Sequence, residues 1–214
     1  MKVVIIDYLL GNLFSVKHAC EKVGLDAHIS TNKEEVEAAD AVILPGVGAF
    51  GDAMKNLHEL DLIRGIKNYI DKGRPFFGVC LGMQLLFEES EEFGAYQGLG
   101  LIKGKIKKFD SRAGEDPIKV PQIGWNQISP GESSDWGQTP LSNVQPGEYM
   151  YFVHSYYAAP TEKEVILTET TYGDTRFCSA VLKDNIFATQ YHPEKSAREG
   201  IKIYENWAQQ ITSN

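Results

Sequence analysis

The sequence predicts an α/β fold, a three-layer sandwich in which helices cover both faces of a central mixed, mostly parallel sheet. In the first half of the chain, apolar runs typical of buried strands alternate with segments of helical spacing. This alternation requires crossover connections, and therefore parallel strands. The second half carries mainly strand signals separated by turn residues, which predicts antiparallel pairing there.

The first half supplies the parallel strands and the helices that connect them. Strands are predicted over the apolar runs 3–6, 25–29, 41–44 and 76–79. Helices are predicted at 12–23, 33–39 and about 52–71, and another helix is expected to begin directly after Cys80. This order places helices on both faces of the sheet.

The second half is predicted to be mostly strands. They are expected at 101–109, 124–128, 149–157, 164–170, 176–182 and 186–190. The Ser- and Gly-rich stretch 130–146 is predicted to be a long surface loop, and residues 196–210 a closing helix. Because strands of the same character flank the loop, a single domain is predicted over residues 1–214.

Composition and charge limit the classes of function. The net charge of −8 argues against broad attraction to nucleic acid or to anionic membranes. The sequence has no run of roughly 20 apolar residues that would span a membrane, and its start does not resemble a secretory signal. Three cysteines, Cys20, Cys80 and Cys178, stand at unrelated spacings, which argues against a disulfide framework or a zinc site. We therefore expect a cytoplasmic protein.

Cys80 has the setting of a nucleophile. It stands where a predicted strand becomes a helix, and its small neighbours Gly78 and Gly82 allow the tight turn that exposes a side chain at the top of a sheet. Unpaired N–H groups at the start of the helix favour a thiolate and stabilise a nearby oxyanion. A lone cysteine is more often a small buried hydrophobe, as we expect for Cys20 and Cys178, so the assignment depends on a base elsewhere.

The base is predicted at His192. Pro193 holds the segment extended, and side chains two residues apart in an extended segment point the same way. Glu194 is therefore placed to bond one ring nitrogen of His192 while the other faces a thiol. A thiol, a base and an orienting carboxylate predict a cysteine hydrolase acting on an amide, with no metal and no cofactor.

A glycine-rich motif at 46–51 matches the dinucleotide-binding pattern G-x-G-x-x-G. Such a site also needs an acid at the end of the next strand, where this chain has only Gly78, Val79 and Cys80. We interpret the motif instead as a close approach of backbone to a ligand, with N–H groups of this segment and of Leu81 receiving an oxyanion.

Taken together, these motifs make the chain resemble the class I (triad) glutamine amidotransferases. The resemblance covers nearly the whole chain, and the matching stretches are 6–8, 11–13, 44–54, 78–86, 120–126, 151–157 and 192–196. It implies a flavodoxin-like sheet fold. One departure is the pair Leu9-Leu10, where the family usually has a glycine and often a methionine.

The resemblance also implies roles for individual residues. Cys80 would attack the side-chain amide of glutamine, His192 would carry the proton to the departing ammonia, and Glu194 would orient His192. Water would then hydrolyse the glutamyl thioester. The residues implied to bind the substrate or its oxyanion are Gly46, Val47, Gly48, Leu81, Gln84, Ser155 and Tyr156.

A partner subunit is implied in the same way. The chain is most similar to members that act in histidine biosynthesis as one half of a heterodimer. In these, ammonia is channelled to a cyclase subunit with a (β/α)₈ barrel, which forms imidazole glycerol phosphate and an aminoimidazole carboxamide ribonucleotide. Gln122, Trp125 and Lys195 are the expected interface residues.

Other functions remain compatible with these residues. A paralogous glutaminase subunit would supply ammonia to another acceptor, such as a surface-polysaccharide sugar. A stand-alone cysteine hydrolase, for example a peptidase or a γ-glutamyl hydrolase, would need no partner. A non-catalytic binding module could keep the fold, but the complete set of Cys80, His192 and Glu194 argues against it.

Overall fold

The computed structural model of the protein describes residues 1–112, 117–132 and 134–213. The strands are β1 (Lys2–Ile6), β2 (Asp26–Ser30), β3 (Ala41–Leu44), β4 (Phe76–Val79), β5 (Phe87–Ser90), β6 (Tyr96–Gln97), β7 (Ile102–Lys108), β8 (Gln122–Gln127), β9 (Ser129–Pro130), β10 (Tyr149–His154), β11 (Tyr156–Pro160), β12 (Ile166–Tyr172), β13 (Thr175–Lys183) and β14 (Ile186–Thr189). The helices are α1 (Leu13–Lys22), α2 (Lys33–Ala38), α3 (Phe50–Glu59), α4 (Leu62–Asp71), α5 (Leu81–Gln84) and α6 (Ala197–Ser213).

The parallel half of the large sheet has the strand order β2-β1-β3-β4-β14. Its last member, β14, comes from near the end of the chain and pairs with β4 so that Thr189 lies opposite Val79. The carboxyl ends of β4 and β14 therefore meet at one edge of the sheet. In open α/β sheets, this edge is where ligands bind.

The sheet continues beyond β14 through mainly antiparallel strands. The order there is β14-β13-β11-β7-β5-β6, and β12 and β9 extend it beside β13. Strands β8 and β10 pair with each other as a separate two-stranded ribbon. The predicted α/β fold with a mixed central sheet is confirmed. The prediction of antiparallel pairing throughout the second half is wrong for β14, which pairs parallel with β4, and for β7, which pairs parallel with β5.

Two apolar cores hold the three layers together. Val3 and Ile5 of β1 point into one core with α1 and α6, while Val4 and Ile6 point into the other with α2, α3 and α4. All four side chains are fully buried. A parallel strand covered on both faces is apolar at every position, as the run in β1 is. No helix in the described part of the chain is long and apolar enough to cross a membrane.

The helix predicted at about 52–71 is wrong as a single element, because α3 and α4 are separate helices. They are interrupted at Leu60 and Asp61, and Asp61 has a left-handed backbone with φ 53°. The Asp61 carboxylate there pairs with Lys33, at the start of α2. Apolar residues keep a similar helical spacing on both sides of Asp61, so the spacing does not reveal the break.

The strand predicted at 149–157 is also divided. It breaks at Ser155, where the chain leaves the ribbon and joins the large sheet.

Strands β5, β6 and β9 were not predicted, because they have two to four residues and lack a clear apolar alternation. The long loop is present, but it is anchored by the buried side chain of Trp136, whose indole N–H donates to the Leu167 carbonyl at 3.0 Å.

Gly82 is required by the close approach of α5 to β3. A Cβ atom at this position would lie 1.8 Å from the carbonyl oxygen of Leu44, which is backbone and cannot move aside. We expect Gly82→Ala to lower the free energy of unfolding by about 3 kcal/mol, or to prevent folding. Urea denaturation measures the loss. Gly137→Ala is the control, since its Cβ would come no closer than 3.3 Å to the Asp135 side chain, and equal stability of the two variants would contradict the argument.

Candidate active site

Cys80 occupies the turn between β4 and α5. Its backbone has φ 55° and ψ −110°, a strained conformation for a residue with a side chain. Its N–H donates to the Thr189 carbonyl at 2.7 Å, which ties the turn to the end of β14. The side chain is 6% exposed and reaches a pocket. This is the strained strand-to-helix turn that the flanking glycines predict.

His192 and Glu194 form a buried pair beside Cys80. Nδ1 of His192 lies 2.7 Å from Oε1 of Glu194, and the two side chains are 2% and 0% exposed. The other ring nitrogen, Nε2, is buried without a hydrogen-bond partner among the described residues. Because Glu194 is bonded to Nδ1, that nitrogen keeps its proton and Nε2 is the atom that exchanges protons.

The protonation of His192 depends on the cysteine. Burial lowers the pKa of His192, but the interactions with Cys80 and then with Glu194 outweigh it and raise the pKa to about 10. An imidazolium next to the sulfur favours a thiolate. The arrangement can therefore hold an activated nucleophile and a proton donor side by side at neutral pH.

The loop that carries His192 is fixed by hydrogen bonds to β10. The His192 N–H donates to the Tyr151 carbonyl at 2.9 Å. The hydroxyl of Ser196 accepts from the Tyr151 N–H at 2.9 Å and donates to the His192 carbonyl at 2.6 Å. The base is thus held by the ribbon as well as by the sheet.

Two buried glutamines, Gln84 and Gln190, lie near the sulfur. Nε2 of Gln84 donates to the Tyr156 carbonyl and to Oε1 of Gln190, both at 2.9 Å. Nε2 of Gln190 lies 3.7 Å from the Cys80 sulfur. Gln84 is four residues after Cys80, so the short helix brings both onto one face.

A pocket of about 270 Å³ opens above Cys80. Its lining comes from the glycine-rich loop, from α5 and from the junction of β10 and β11. The lining residues are Val47, Gly48, Cys80, Leu81, Gln84, Glu92, Pro121, Val153, His154, Ser155 and Tyr156. The described residues contain no group of acids, histidines and cysteines arranged to hold a metal ion.

Beside the pocket, the N–H of Leu81 is already engaged. It donates to the Gly46 carbonyl at 3.4 Å, a long hydrogen bond. Gly46 itself lies behind the pocket, and a Cβ there would be 2.0 Å from the Tyr8 hydroxyl. Gly48 has φ 106°, a conformation that favours glycine.

The sequence profile described as "Glutamine amidotransferase class-I" matches residues 4–211. The chain belongs to the class I glutamine amidotransferase family. Two relatives, both named "Imidazole glycerol phosphate synthase subunit HisH", come from Aquifex aeolicus and Geobacter metallireducens. The first is 46% identical over 97% of this chain and 96% of its own length. The second is 47% identical over 96% of this chain and 97% of its own length.

Solved amidotransferase structures share the fold at low sequence identity. One, titled "Crystal structure of glutamine amidotransferase", has a TM-score of 0.73 and 18% identity and covers 98% of each chain. PurLQS from Thermotoga maritima has a TM-score of 0.70 and 19% identity, covering 99% of this chain and 97% of its own. At this identity, the likeness concerns the fold alone.

In this amidotransferase, the residues predicted for catalysis and binding converge on one edge of the sheet. Cys80, His192 and Glu194 lie together, and six of the seven predicted binding residues line the pocket. These six are Val47, Gly48, Leu81, Gln84, Ser155 and Tyr156. Gly46 is not in the lining, and its carbonyl accepts the hydrogen bond from the Leu81 N–H.

Three site residues were missed. Glu92 follows the unpredicted strand β5, and its carboxylate accepts from the Phe50 N–H at 2.7 Å at the pocket wall. His154 is a buried residue of the pocket lining, with Nδ1 2.8 Å from the Tyr156 carbonyl. Gln190 precedes the His-Pro-Glu motif, and its closeness to that motif was the one available signal.

The predicted interface residues lie in two environments. Trp125 is 51% exposed on the ribbon, and Lys195 is exposed with its ammonium 6.0 Å above the ring of Tyr151. Gln122 is 3% exposed on the opposite face of the ribbon, where its amide lies 3.1 Å from Nε2 of His154. In this inward position Gln122 supports His154 in the pocket wall, and its role at an interface stays a prediction.

Buried His154 predicts a loss of stability in acid. Burial lowers the pKa of His154 to about 4, whereas an unfolded histidine titrates near ~6.5. Between these values the unfolded chain binds the extra proton, so the free energy of unfolding falls as the pH drops from about 6.5 to 4, by up to about 3 kcal/mol from this residue.

Urea denaturation at several pH values measures this slope. His154→Gln keeps a polar side chain but removes the titrating group, so we expect a shallower loss of stability over the same pH window. An equally steep slope in the variant would show that other groups cause the acid sensitivity.

Proposed function

We propose that this amidotransferase is the glutaminase subunit of imidazole glycerol phosphate synthase and hydrolyses glutamine to glutamate and ammonia. The observation that carries the proposal is the buried Cys80–His192–Glu194 arrangement beside a small pocket. It occurs in a chain 46% identical, over nearly its full length, to a protein named as a subunit of imidazole glycerol phosphate synthase. The ammonia passes to a cyclase subunit that makes imidazole glycerol phosphate and an aminoimidazole carboxamide ribonucleotide in histidine biosynthesis.

The first half of the reaction forms a thioester. The Cys80 sulfur, its proton held by Nε2 of His192, attacks the carboxamide carbon of glutamine. The tetrahedral intermediate collapses as its C–N bond breaks, and His192 gives the proton to the departing ammonia. Glu194 holds the imidazolium in the orientation needed for both transfers.

The second half releases glutamate. His192, now neutral, takes a proton from a water molecule that attacks the thioester carbon. The C–S bond breaks, and its electron pair returns to the sulfur of Cys80. His192 therefore acts as base and then acid in the first half, and as base in the second, which restores the starting pair of thiolate and imidazolium.

The oxyanion of each intermediate needs donors that are partly blocked in this structure. The Leu81 N–H points at the Gly46 carbonyl instead of at the pocket. Rotation of the peptide between Gly46 and Val47 would free the Leu81 N–H and bring the Val47 N–H to the same place. We propose that turnover requires this rotation, which predicts low activity of the isolated chain.

Recognition of glutamine is assigned to polar groups around the pocket. Both hydrogens of the Gln84 amide are bonded to protein, so its oxygen is the atom left for substrate. The half-buried carboxylate of Glu92 offers a partner for the α-amino group. Backbone groups of Gly48, Ser155 and Tyr156 complete the set.

A partner surface is assigned to the ribbon of β8 and β10. Ile123, Trp125 and Tyr149 are 60%, 51% and 52% exposed. Alternate residues of a strand point to the same face, and the pairing of β8 with β10 puts these three side chains on one face of the ribbon. Val153 of the same ribbon lines the pocket, with its carbonyl 4.0 Å from the Cys80 sulfur. A cyclase with a (β/α)₈ barrel seated on this face would therefore lie close to the site where ammonia is released.

Glutamate release by the purified chain tests the function. We expect weak hydrolysis by the chain alone and a strong rise when the cyclase subunit and its ribonucleotide substrate are added. Equal activity with and without the partner would indicate a stand-alone hydrolase instead. Activity in neither condition would contradict glutaminase function in this pathway.

Cys80→Ala is expected to abolish glutamine turnover, a loss of at least about 10⁴-fold, because no other nucleophile lines the pocket at that position. The fold should persist, since alanine fits wherever the thiol does, and thermal unfolding checks this. The comparison variant is Cys178→Ala, whose thiol is buried away from the pocket. Wild-type turnover by Cys80→Ala would exclude the proposed mechanism.

Trp125→Ala is expected to weaken binding of the cyclase subunit by tenfold or more, as loss of an exposed aromatic anchor does. Isothermal titration calorimetry with the cyclase subunit measures it. Arg64→Ala, on the outer helix α4, provides a surface substitution that should leave binding unchanged. An unchanged affinity of Trp125→Ala would remove the ribbon face from the interface.

A further inference from the structure

Gln190 is a buried polar residue in contact with the nucleophile that the mechanism above leaves unused. It follows β14 directly, and its side chain is inaccessible to solvent. Its backbone N–H donates to the Ser179 carbonyl at 2.8 Å, which fixes the start of the side chain. The amide oxygen accepts from Gln84 at 2.9 Å, and the amide nitrogen lies 3.7 Å from the sulfur of Cys80.

The orientation of the Gln190 amide follows from its neighbours. The carbonyl of Tyr156 only accepts hydrogen bonds, so the Gln84 atom 2.9 Å from it must be the NH₂ nitrogen. The same nitrogen lies 2.9 Å from the Gln190 amide, whose nearest atom must then be oxygen. The NH₂ group of Gln190 is therefore left facing the sulfur. The Tyr156 carbonyl thus determines the direction of both hydrogen bonds in the series.

We propose that Gln190 is a further catalytic residue, which donates a hydrogen bond to the Cys80 thiolate and keeps the oxygen of Gln84 turned toward the substrate. The proposal deepens the proposed glutaminase function and rests on it. A donor at the sulfur stabilises the thiolate before attack. It also stabilises the thiolate as the leaving group when water breaks the C–S bond of the thioester.

Two side chains that interact with the sulfur have different roles. His192 provides a proton and a positive charge, and Gln190 provides a neutral donor that cannot take the proton away. A neutral amide is suited to this place because a second cation would compete with His192 for the thiolate. A carboxylate there would repel the thiolate instead.

The pH dependence of alkylation of Cys80 by iodoacetamide tests the contact without any need for turnover. Two variants of similar size are compared with the wild type, Gln190→Met and Gln190→Glu. Loss of a hydrogen bond to a charged sulfur should move the pH of half-maximal rate upward by about one unit in Gln190→Met. The repulsion in Gln190→Glu should move it further in the same direction.

The control variant is Tyr69→Phe, which removes the hydrogen bonds of a buried side chain to the Asp40 and Pro75 carbonyls away from the pocket. It should be destabilised to a similar degree and keep the wild-type alkylation profile. Mass spectrometry of the Cys80 peptide separates its alkylation from that of the other two cysteines. An unmoved midpoint in the Gln190 variants, or an equal shift in Tyr69→Phe, would overturn the proposal. If Gln190→Met does not fold, Gln190→Glu decides.

Steady-state kinetics of the complex with the cyclase subunit supply the second readout. In Gln190→Met, kcat for glutamine should fall about tenfold and KM should rise, because the Gln84 amide is no longer held. A rise in KM alone, with an unchanged alkylation profile, would assign Gln190 a purely structural role. If the wild type itself fails to hydrolyse glutamine, the proposed function fails, and alkylation still decides the contact between Gln190 and Cys80.

Discussion

The parallel pairing of β4 with β14 brings the chemistry of this protein together. The two strands are far apart in sequence, yet their last residues, Val79 and Thr189, lie side by side. The hydrogen bond from the Cys80 N–H to the Thr189 carbonyl extends this pairing into the nucleophile turn, and His192 follows shortly after the end of β14. Cys80 and His192 are thus positioned by a backbone ladder, which is more rigid than a pair of loops.

This geometry has costs that the surrounding packing offsets. The left-handed backbone at Cys80 costs on the order of 1–3 kcal/mol, and it persists because α5 is pressed against β3 through Gly82. Burial of His192 with Glu194 requires desolvation of both, which their short hydrogen bond and the nearby sulfur compensate. The buried ion pair thus lies at the candidate site, while the cores on either side are apolar.

Much of this could be predicted from local sequence, and the failures have physical causes. The strands near the nucleophile were found because buried parallel strands are short apolar runs, and Cys80 and the His-Pro-Glu motif were found because backbone geometry constrains their neighbours. The break at Asp61 was missed because apolar spacing continues across it. Gln190 and Glu92 were missed because their roles depend on contacts between residues distant in sequence, which no local pattern encodes.

The late position of β14 in the chain has a consequence for synthesis. A ribosome delivers β1 to β13 before β14 emerges, and β14 then inserts between β4 and β13. Until that insertion, Cys80 has neither its Thr189 anchor nor its base, so a nascent or truncated chain holds no working nucleophile. Domains built from such long-range pairings complete their structure only when the chain is nearly finished. The topology therefore prevents incomplete chains from consuming their substrate.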